Sequence, residues 1–230
     1  VMPAFENFLL REISVRKVDQ FIKRLASVKS YSTAKQARTV LSLALGLAVR
    51  YDAIRENPVR DTARLHKPPS ETMALTLEQV EAIRAAVRSW RRAPGTPGPP
   101  PDGQLEQIIE LMLGTSARIG EVLAIRRCDV DVTVSPATVR ICGTIVSPAG
   151  KPTYRQPHPK TQKSTRVVSV PSFVAEVIRQ RLVLIGHEDA EHLLFFTRNG
   201  TPLTTNNIRR RLRAVLSDAG IDGVTPHAFR

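Results

Sequence analysis

The chain has 230 residues, 42% hydrophobic and 24% charged, and its 34 Lys+Arg against 21 Asp+Glu give a formal net charge of +13. That length and apolar content suffice for one or two domains with real cores and exclude disorder along the whole chain. The longest apolar stretches, residues 40–49 and 108–113, fall short of the roughly 18–20 residues of a membrane span. Residues 1–11 lack the basic-then-apolar order of a secretion signal. The two cysteines, Cys128 and Cys142, form no CxxC pair and have no histidine at ligand spacing, so neither a disulfide framework nor a zinc site is expected. A cytoplasmic, reducing setting fits this usage.

The surplus charge is shared along the chain. Residues 1–66 hold 12 Lys/Arg and 6 Asp/Glu, and residues 67–230 hold 22 and 15. An excess spread over two globular parts points to one polyanionic partner touched by both, most simply nucleic acid. With aromatic content at 5% there is little for a single-strand stacking platform, which favours duplex DNA.

In chain order, Phe5, Phe8 and Leu9 open a helical pattern, and Val18, Phe21, Ile22 and Leu25 repeat it. Ser32 or Thr33 is placed to cap a third run with Val40, Leu41, Ala44, Leu45, Ala48 and Val49 on its inner face, ended by Asn57 and Pro58. Three helices make a small bundle over residues 1–66, and residues 67–74 read as a linker. From residue 75 a second domain opens at a capping box, Thr76 to Gln79, with Val80, Ile83, Ala86 and Val87 behind it. Eight of the eleven residues 93–103 are Pro or Gly, which reads as a surface loop without a packing role. Residues 105–113 form a buried helix, Gly114, Thr115 and Ser116 break it, and residues 119–125 form a short second one. Residues 138–141 and 166–170 read as strands, closed by Pro171. Residues 173–185 and 207–219 return to helical period, with a short extended run at 193–196. The fold class is therefore mainly α with a small antiparallel sheet, α+β.

Three places carry candidate chemistry. Arg118, at the start of the short second helix, is suited to bidentate phosphate binding; equally, Arg118 and Glu121 have the spacing of an ordinary helical ion pair. Lys160 lies in a basic stretch with Lys163 just before a strand, near an expected hairpin turn; it is either a mobile proton donor or part of a solvated basic loop. His227 and Arg230 share a face if a helix starts at Pro226. On the run of residues 207–219, Arg209, Arg210, Arg211 and Arg213 flank the apolar stripe of Ile208, Leu212, Val215 and Leu216 and form a basic face. Lys35 and Arg38 do so on the third helix.

The combination resembles the tyrosine recombinase family, the phage integrases. A helical core-binding domain is resembled by Ser32 through Leu45 to Asn57 and Pro58. The catalytic domain is resembled by residues 115–121, by Lys160 and Thr161 before a strand, and by the motif from His227 to Arg230. The resemblance implies a core-binding domain at residues 1–66 and a catalytic domain at 75–230. It implies Arg118 and Arg230 as the catalytic arginines, Lys160 as the hairpin lysine, His227 as the catalytic histidine and Glu121 as a supporting residue. Lys35, Arg38, Lys163, Arg209, Arg210 and Arg213 are expected on DNA. The implied activity is site-specific cutting and rejoining of duplex DNA through a 3′-phosphotyrosine, without metal or other cofactor. The protein would assemble as a homotetramer on DNA and as a monomer or weak oligomer when free.

The family's nucleophilic tyrosine lies C-terminal to its His-x-x-Arg motif, whereas Tyr31, Tyr51 and Tyr154 all precede His227. None is assigned that role, so the catalytic domain is expected to be truncated at its C-terminus and inactive alone. Three rivals stand beside this reading: a DNA-binding regulator without catalysis, a type IB topoisomerase-like enzyme and a basic RNA-binding protein.

Overall fold

The computed structural model describes residues 2–69, 74–92, 95–96, 101–158, 164–186 and 189–230. The chain divides into two compact units, Val1–Thr72 and Met73–Arg230.

The first unit is helical: α1 (Met2–Phe5), α2 (Val15–Val28) and α3 (Tyr31–Arg50), with a 3-10 turn at Leu10–Glu12. Ser14 caps α2 by accepting from the Lys17 amide. Ser30, rather than Ser32 or Thr33, caps α3 by accepting from the Thr33 amide at 3.1 Å. A second difference lies in the buried face: Ala34, Ala37, Leu41 and Leu45 form the buried stripe of α3, whereas Val40 and Ala44, expected on it, are exposed. Phe5 seats on Phe21 edge to face, with ring centroids 5.1 Å apart. Asn57 closes the unit: its side chain donates to the Ser42 carbonyl at 2.8 Å and accepts from the Val59 amide.

The second unit carries α4 (Leu77–Ser89), α5 (Gln104–Thr115), α6 (Ile119–Val122), α7 (Ser172–Ile185) and α8 (Thr205–Asp218). The expected capping box opens α4: the Thr76 hydroxyl accepts from the Gln79 amide, and the Gln79 side chain accepts from the Thr76 amide. A three-stranded antiparallel sheet runs β1 (Val130–Asp131), β2 (Thr138–Ile141), β5 (Arg166–Ser169), with Val139 opposite Val168. A separate antiparallel pair joins β3 (Thr144–Val146) to β4 (Tyr154–Gln156). Helices and sheets share one core that includes Ile108, Leu111, Leu123, Ile141, Ile178 and Phe195.

Three expectations need correction here. Gly114 and Thr115 continue α5 rather than break it. A Cβ on Gly114 would lie 2.3 Å from Val174 Cγ2, so this glycine serves the close approach of α5 to α7. The reversal comes at Ser116, in the left-handed region with φ 51°. Secondly, α6 ends at Val122, and residues 123–125 follow as tight turns. Thirdly, the described end of the Pro/Gly-rich stretch is anchored. Asp102 accepts from the backbone and side chain of Gln104, and the buried Gln104 side chain bonds the Phe196 backbone. Trp90 packs on the core and donates to Asp218 at 3.0 Å. No described helix is long and apolar enough to cross a membrane.

Because the Gly114 site has no room for a methyl, Gly114→Ala is expected to destabilise the protein by about 1–3 kcal/mol. Urea unfolding checks this; an unchanged midpoint would refute the tight α5–α7 approach.

Candidate phosphate-binding cleft

Three segments distant in sequence meet in the second unit. The first is the reversal after α5. The Thr115 hydroxyl donates back to the Leu111 carbonyl and accepts from the Ala117 amide, fixing the turn from inside. Arg118 then stands at the N-cap of α6 and Glu121 at its third residue, locked reciprocally. Glu121 Oε2 accepts from the Arg118 amide at 3.0 Å, and Oε1 accepts from Arg118 Nη1 at 2.9 Å. The ion-pair and cleft readings of Arg118 are thus compatible. One N–H serves Glu121 while the side chain, 53% exposed, lines a cleft.

Glu121 is 3% exposed and takes a second cation, Arg166 of β5, at 3.2 Å. Burial raises its pKa. The Arg118 amide, the Arg118 guanidinium and Arg166 together outweigh that, so the carboxyl is held below its usual range. A carboxylate fixed as an anion keeps Arg118 oriented. Arg166 was not singled out from sequence; the basic run leading into β5 was its only signal.

The second segment is the C-terminal turn. Thr225 precedes a 3-10 turn, Pro226–Phe229, in place of the expected α-helix. Three residues per turn still bring His227 and Arg230 to the same side. Phe229 is buried in the core and pins the turn. Arg230 Nε donates to the Ser116 carbonyl at 2.9 Å, so the reversal that places Arg118 also holds Arg230.

The third segment is α8, capped by Thr204. Its buried stripe is Ile208, Leu212, Val215 and Leu216, as expected. Arg209 and Arg213, one turn apart, line the cleft. Arg210 does not; it donates to Asn207 at 3.2 Å. The cleft, about 600 Å³, thus gathers Arg118, Arg209, Arg213, His227 and Arg230, with Thr144 of β3 on its wall. Gly120 brings α6 against that wall, since a Cβ there would lie 2.8 Å from Thr144 Oγ1. Four guanidiniums and an imidazole around one opening give a strongly cationic cleft that could hold an oxyanion. Lys160 and Lys163 lie outside the described residues. Tyr154 sits on β4, and neither it nor Tyr31 or Tyr51 lines the cleft.

In the first unit, Lys35 and Arg38 line a groove of about 480 Å³ together with Tyr31, Arg60 and Arg64. Arg38 Nε donates to the Thr62 hydroxyl at 3.2 Å. Arg60 and Arg64 escaped the sequence reading because they lie beyond α3, where no periodicity marks a face.

Comparison with protein families matches residues 74–230 to the phage integrase family. The chain belongs to the phage integrase family. Among curated relatives, the integrase of Streptomyces ambofaciens is 28% identical over 249 residues, spanning all of this chain and 59% of the relative. The integrase of Mycobacterium phage D29 is 27% identical over 207 residues, covering 88% of this chain and 50% of its own. The tyrosine recombinase XerC of Chlamydia caviae is 25% identical over 97% of this chain and 60% of its own. The chain therefore spans one half to three-fifths of these relatives.

Solved structures share the fold. The Tn1549 transposon integrase in complex with transposon right-end DNA gives a TM-score of 0.73 at 20% identity, over 95% of this chain and 70% of that one. A lambda integrase dimer bound to a COC′ core site gives 0.66 at 18%, over 99% and 59%.

Elsewhere in the second unit, Asp129 is a buried hub absent from the sequence reading. It bonds Arg126 at 2.8 Å and Arg140 at 2.9 Å, lies 3.6 Å from Arg155, and accepts from the Cys142 thiol. Burial pushes its pKa up; hydrogen bonds from Arg126, Cys142 and Arg140 prevail and hold it at about 2. A depressed folded-state pKa means stability present above the unfolded value near 4 and lost as pH falls toward 2. Asp129→Asn is expected to cost on the order of 2 kcal/mol at neutral pH and to flatten acid unfolding between about pH 4 and 2. Denaturant titrations at several pH values check this, and parallel pH profiles would refute it.

Proposed function

We propose that the protein containing this chain is a site-specific DNA recombinase of the tyrosine type, cutting and rejoining duplex DNA through a 3′-phosphotyrosine. The observation that carries this reading is the convergence of Arg118, His227 and Arg230 on one cleft. In the proposed step Arg118 and Arg230 bind the non-bridging oxygens of the scissile phosphate, each worth roughly 3–4 kcal/mol as charge develops. Glu121 holds Arg118 for that task. A tyrosine phenol attacks phosphorus, the bond to the 5′ oxygen breaks, and Lys160 protonates that oxygen as it leaves. His227 accepts the phenol proton or orients a phosphate oxygen. The bond energy stays in the phosphotyrosine, so rejoining needs neither nucleotide nor metal.

The tyrosine comes from sequence beyond Arg230 in this proposal, since none of Tyr31, Tyr51 and Tyr154 lies at the cleft. The catalytic domain spans residues 75–230 together with that tyrosine-bearing segment, and residues 1–66 form a core-binding domain joined through 67–74. Lys35, Arg38, Arg209 and Arg213 contact DNA phosphates or groove edges, with Lys163 and Arg210 adding to the same field. The lambda integrase tetramer bound to a Holliday junction shares the fold over 95% of this chain, at a TM-score of 0.63. A homotetramer on DNA is proposed accordingly. The setting is the cytoplasm.

In the full-length protein, Arg118→Ala and Arg230→Ala are each expected to lower single-turnover cleavage of a nicked target duplex at least 100-fold while leaving affinity within about threefold. Denaturing gels for the covalent adduct, beside filter binding, check both. Ordinary cleavage in either variant would refute its assignment. Binding without any adduct from the full-length wild type would favour a non-catalytic DNA-binding regulator. Relaxation of supercoils lacking a defined site would favour a topoisomerase.

For the basic surface, log affinity for duplex DNA is expected to fall with log salt at about 0.9 per phosphate neutralised. Arg209→Ala combined with Arg213→Ala is expected to reduce that slope by about 1–2. An unchanged slope would take α8 off the DNA, and a preference for RNA would overturn the partner.

A further inference from the structure

Glu121 has one more donor than a helical ion pair needs. Its Oε2 accepts from the Arg118 amide at 3.0 Å and from Arg166 Nη2 at 3.2 Å, which takes up both lone pairs of that oxygen. Oε1 accepts from Arg118 Nη1 at 2.9 Å. The Arg118 guanidinium therefore holds the carboxylate by one N–H, although two parallel bonds are the geometry that arginine and carboxylate favour. The oxygen that would complete the fork is already occupied.

Arg166 reaches that oxygen from a different element. It stands on β5, opposite Ile141 of β2, and its Nη1 donates to the Ser164 carbonyl at 3.2 Å. Strand pairing and this second bond fix where its guanidinium lies. Arg166 does not line the cleft, so any effect it has on an anion there passes through Glu121. Arg118 does line the cleft, with its side chain 53% exposed, and no other partner of that side chain occurs among the described residues. Glu121 is 3% exposed. A buried carboxylate with a single arginine beside it would draw that arginine in on both oxygens, because little solvent shares its charge.

We propose that Arg166 is a positioning residue that keeps Arg118 available to phosphate: by occupying Glu121 Oε2 it prevents a bidentate Arg118–Glu121 pair and leaves the remaining Arg118 donors for the cleft. This rests on the reading of Arg118 as a ligand of the scissile phosphate. Glu121 fixes Arg118 at one point, and Arg166 limits the hold to that point. The two requirements oppose each other, so one carboxylate needs two cations from separate elements.

The test uses the full-length protein in single-turnover cleavage of a nicked target duplex, beside filter binding. Arg166→Gln is expected to cut at least about tenfold more slowly while binding DNA within about threefold of wild type. Arg166→Lys keeps a charge beside Oε2 and is expected to recover most of that loss. Glu121→Gln removes the charge that draws Arg118 in. Combined with Arg166→Gln, it is expected to cut faster than Arg166→Gln alone and no more slowly than Glu121→Gln alone. The double variant also serves if Arg166→Gln fails to fold, since it buries no uncompensated carboxylate. A crystal structure of Arg166→Gln is expected to show Arg118 bonded through its guanidinium to both Glu121 oxygens.

Wild-type cleavage by Arg166→Gln would overturn the proposal. So would a double variant slower than Glu121→Gln, which would make Arg166 a brace or a phosphate contact independent of Glu121, or a single guanidinium bond to Glu121 retained in the crystal of Arg166→Gln. Ordinary cleavage by Arg118→Ala would instead remove the reading of Arg118 itself, and the positioning role with it.

Discussion

The reversal between α5 and α6 is the constraint on which the cleft depends. Within four residues the chain ends one helix at a left-handed serine and starts another at Arg118. The inner Thr115 hydroxyl makes that sharp change possible by satisfying backbone groups on both sides. The Ser116 carbonyl, freed from helical pairing, becomes the acceptor for Arg230. Two cations far apart in the sequence of the second unit are thereby referenced to the same few atoms. Such pre-arrangement is what transition-state charge stabilisation demands, since donors already in place need no reorganisation during reaction.

Holding several guanidiniums around one opening is costly unless anions behind them balance the field. Glu121 does this for Arg118 and pairs Arg166 as well; apart from the opening, Asp129 gathers Arg126, Arg140 and Arg155. Both carboxylates are buried and carry more than one cation, so removing either would strand charges in a poorly solvated place. Arg209 and Arg213 are arranged differently. They stand on the exposed side of a helix whose other face is fixed by Ile208, Leu212 and Leu216, free to meet a polyanion.

Much of this was legible in the sequence for identifiable reasons. The capping box at Thr76, the helical stripes of α7 and α8, and strands β2 and β5 carry strong local periodicity. Arg118, His227 and Arg230 were readable as a set through the resemblance, although each alone reads equally as an ordinary surface residue. The Ser30 cap was missed because Ser32 and Thr33 offer the same chemistry two and three residues later. Strands β1, β3 and β4 are two or three residues long, too short for alternation to show. The Asp129 hub was invisible because its partners sit 3, 11, 13 and 26 residues away along the chain, a gathering that only the fold creates. A helix with four arginines near its buried stripe says that they are exposed, not which of them faces a cleft; the structure selects Arg209 and Arg213 and turns Arg210 aside.

The proposed function requires that Arg118 and Arg230 bind one anion together. A crystal structure of the chain soaked in tungstate, a heavy tetrahedral oxyanion whose anomalous signal locates it without ambiguity, tests this most directly. A shared site is expected to give a peak within hydrogen-bond distance of both guanidiniums, with His227 beside it, that disappears in Arg118→Ala. A peak that persists in that variant, or an anion bound elsewhere while the cleft stays empty, would contradict it.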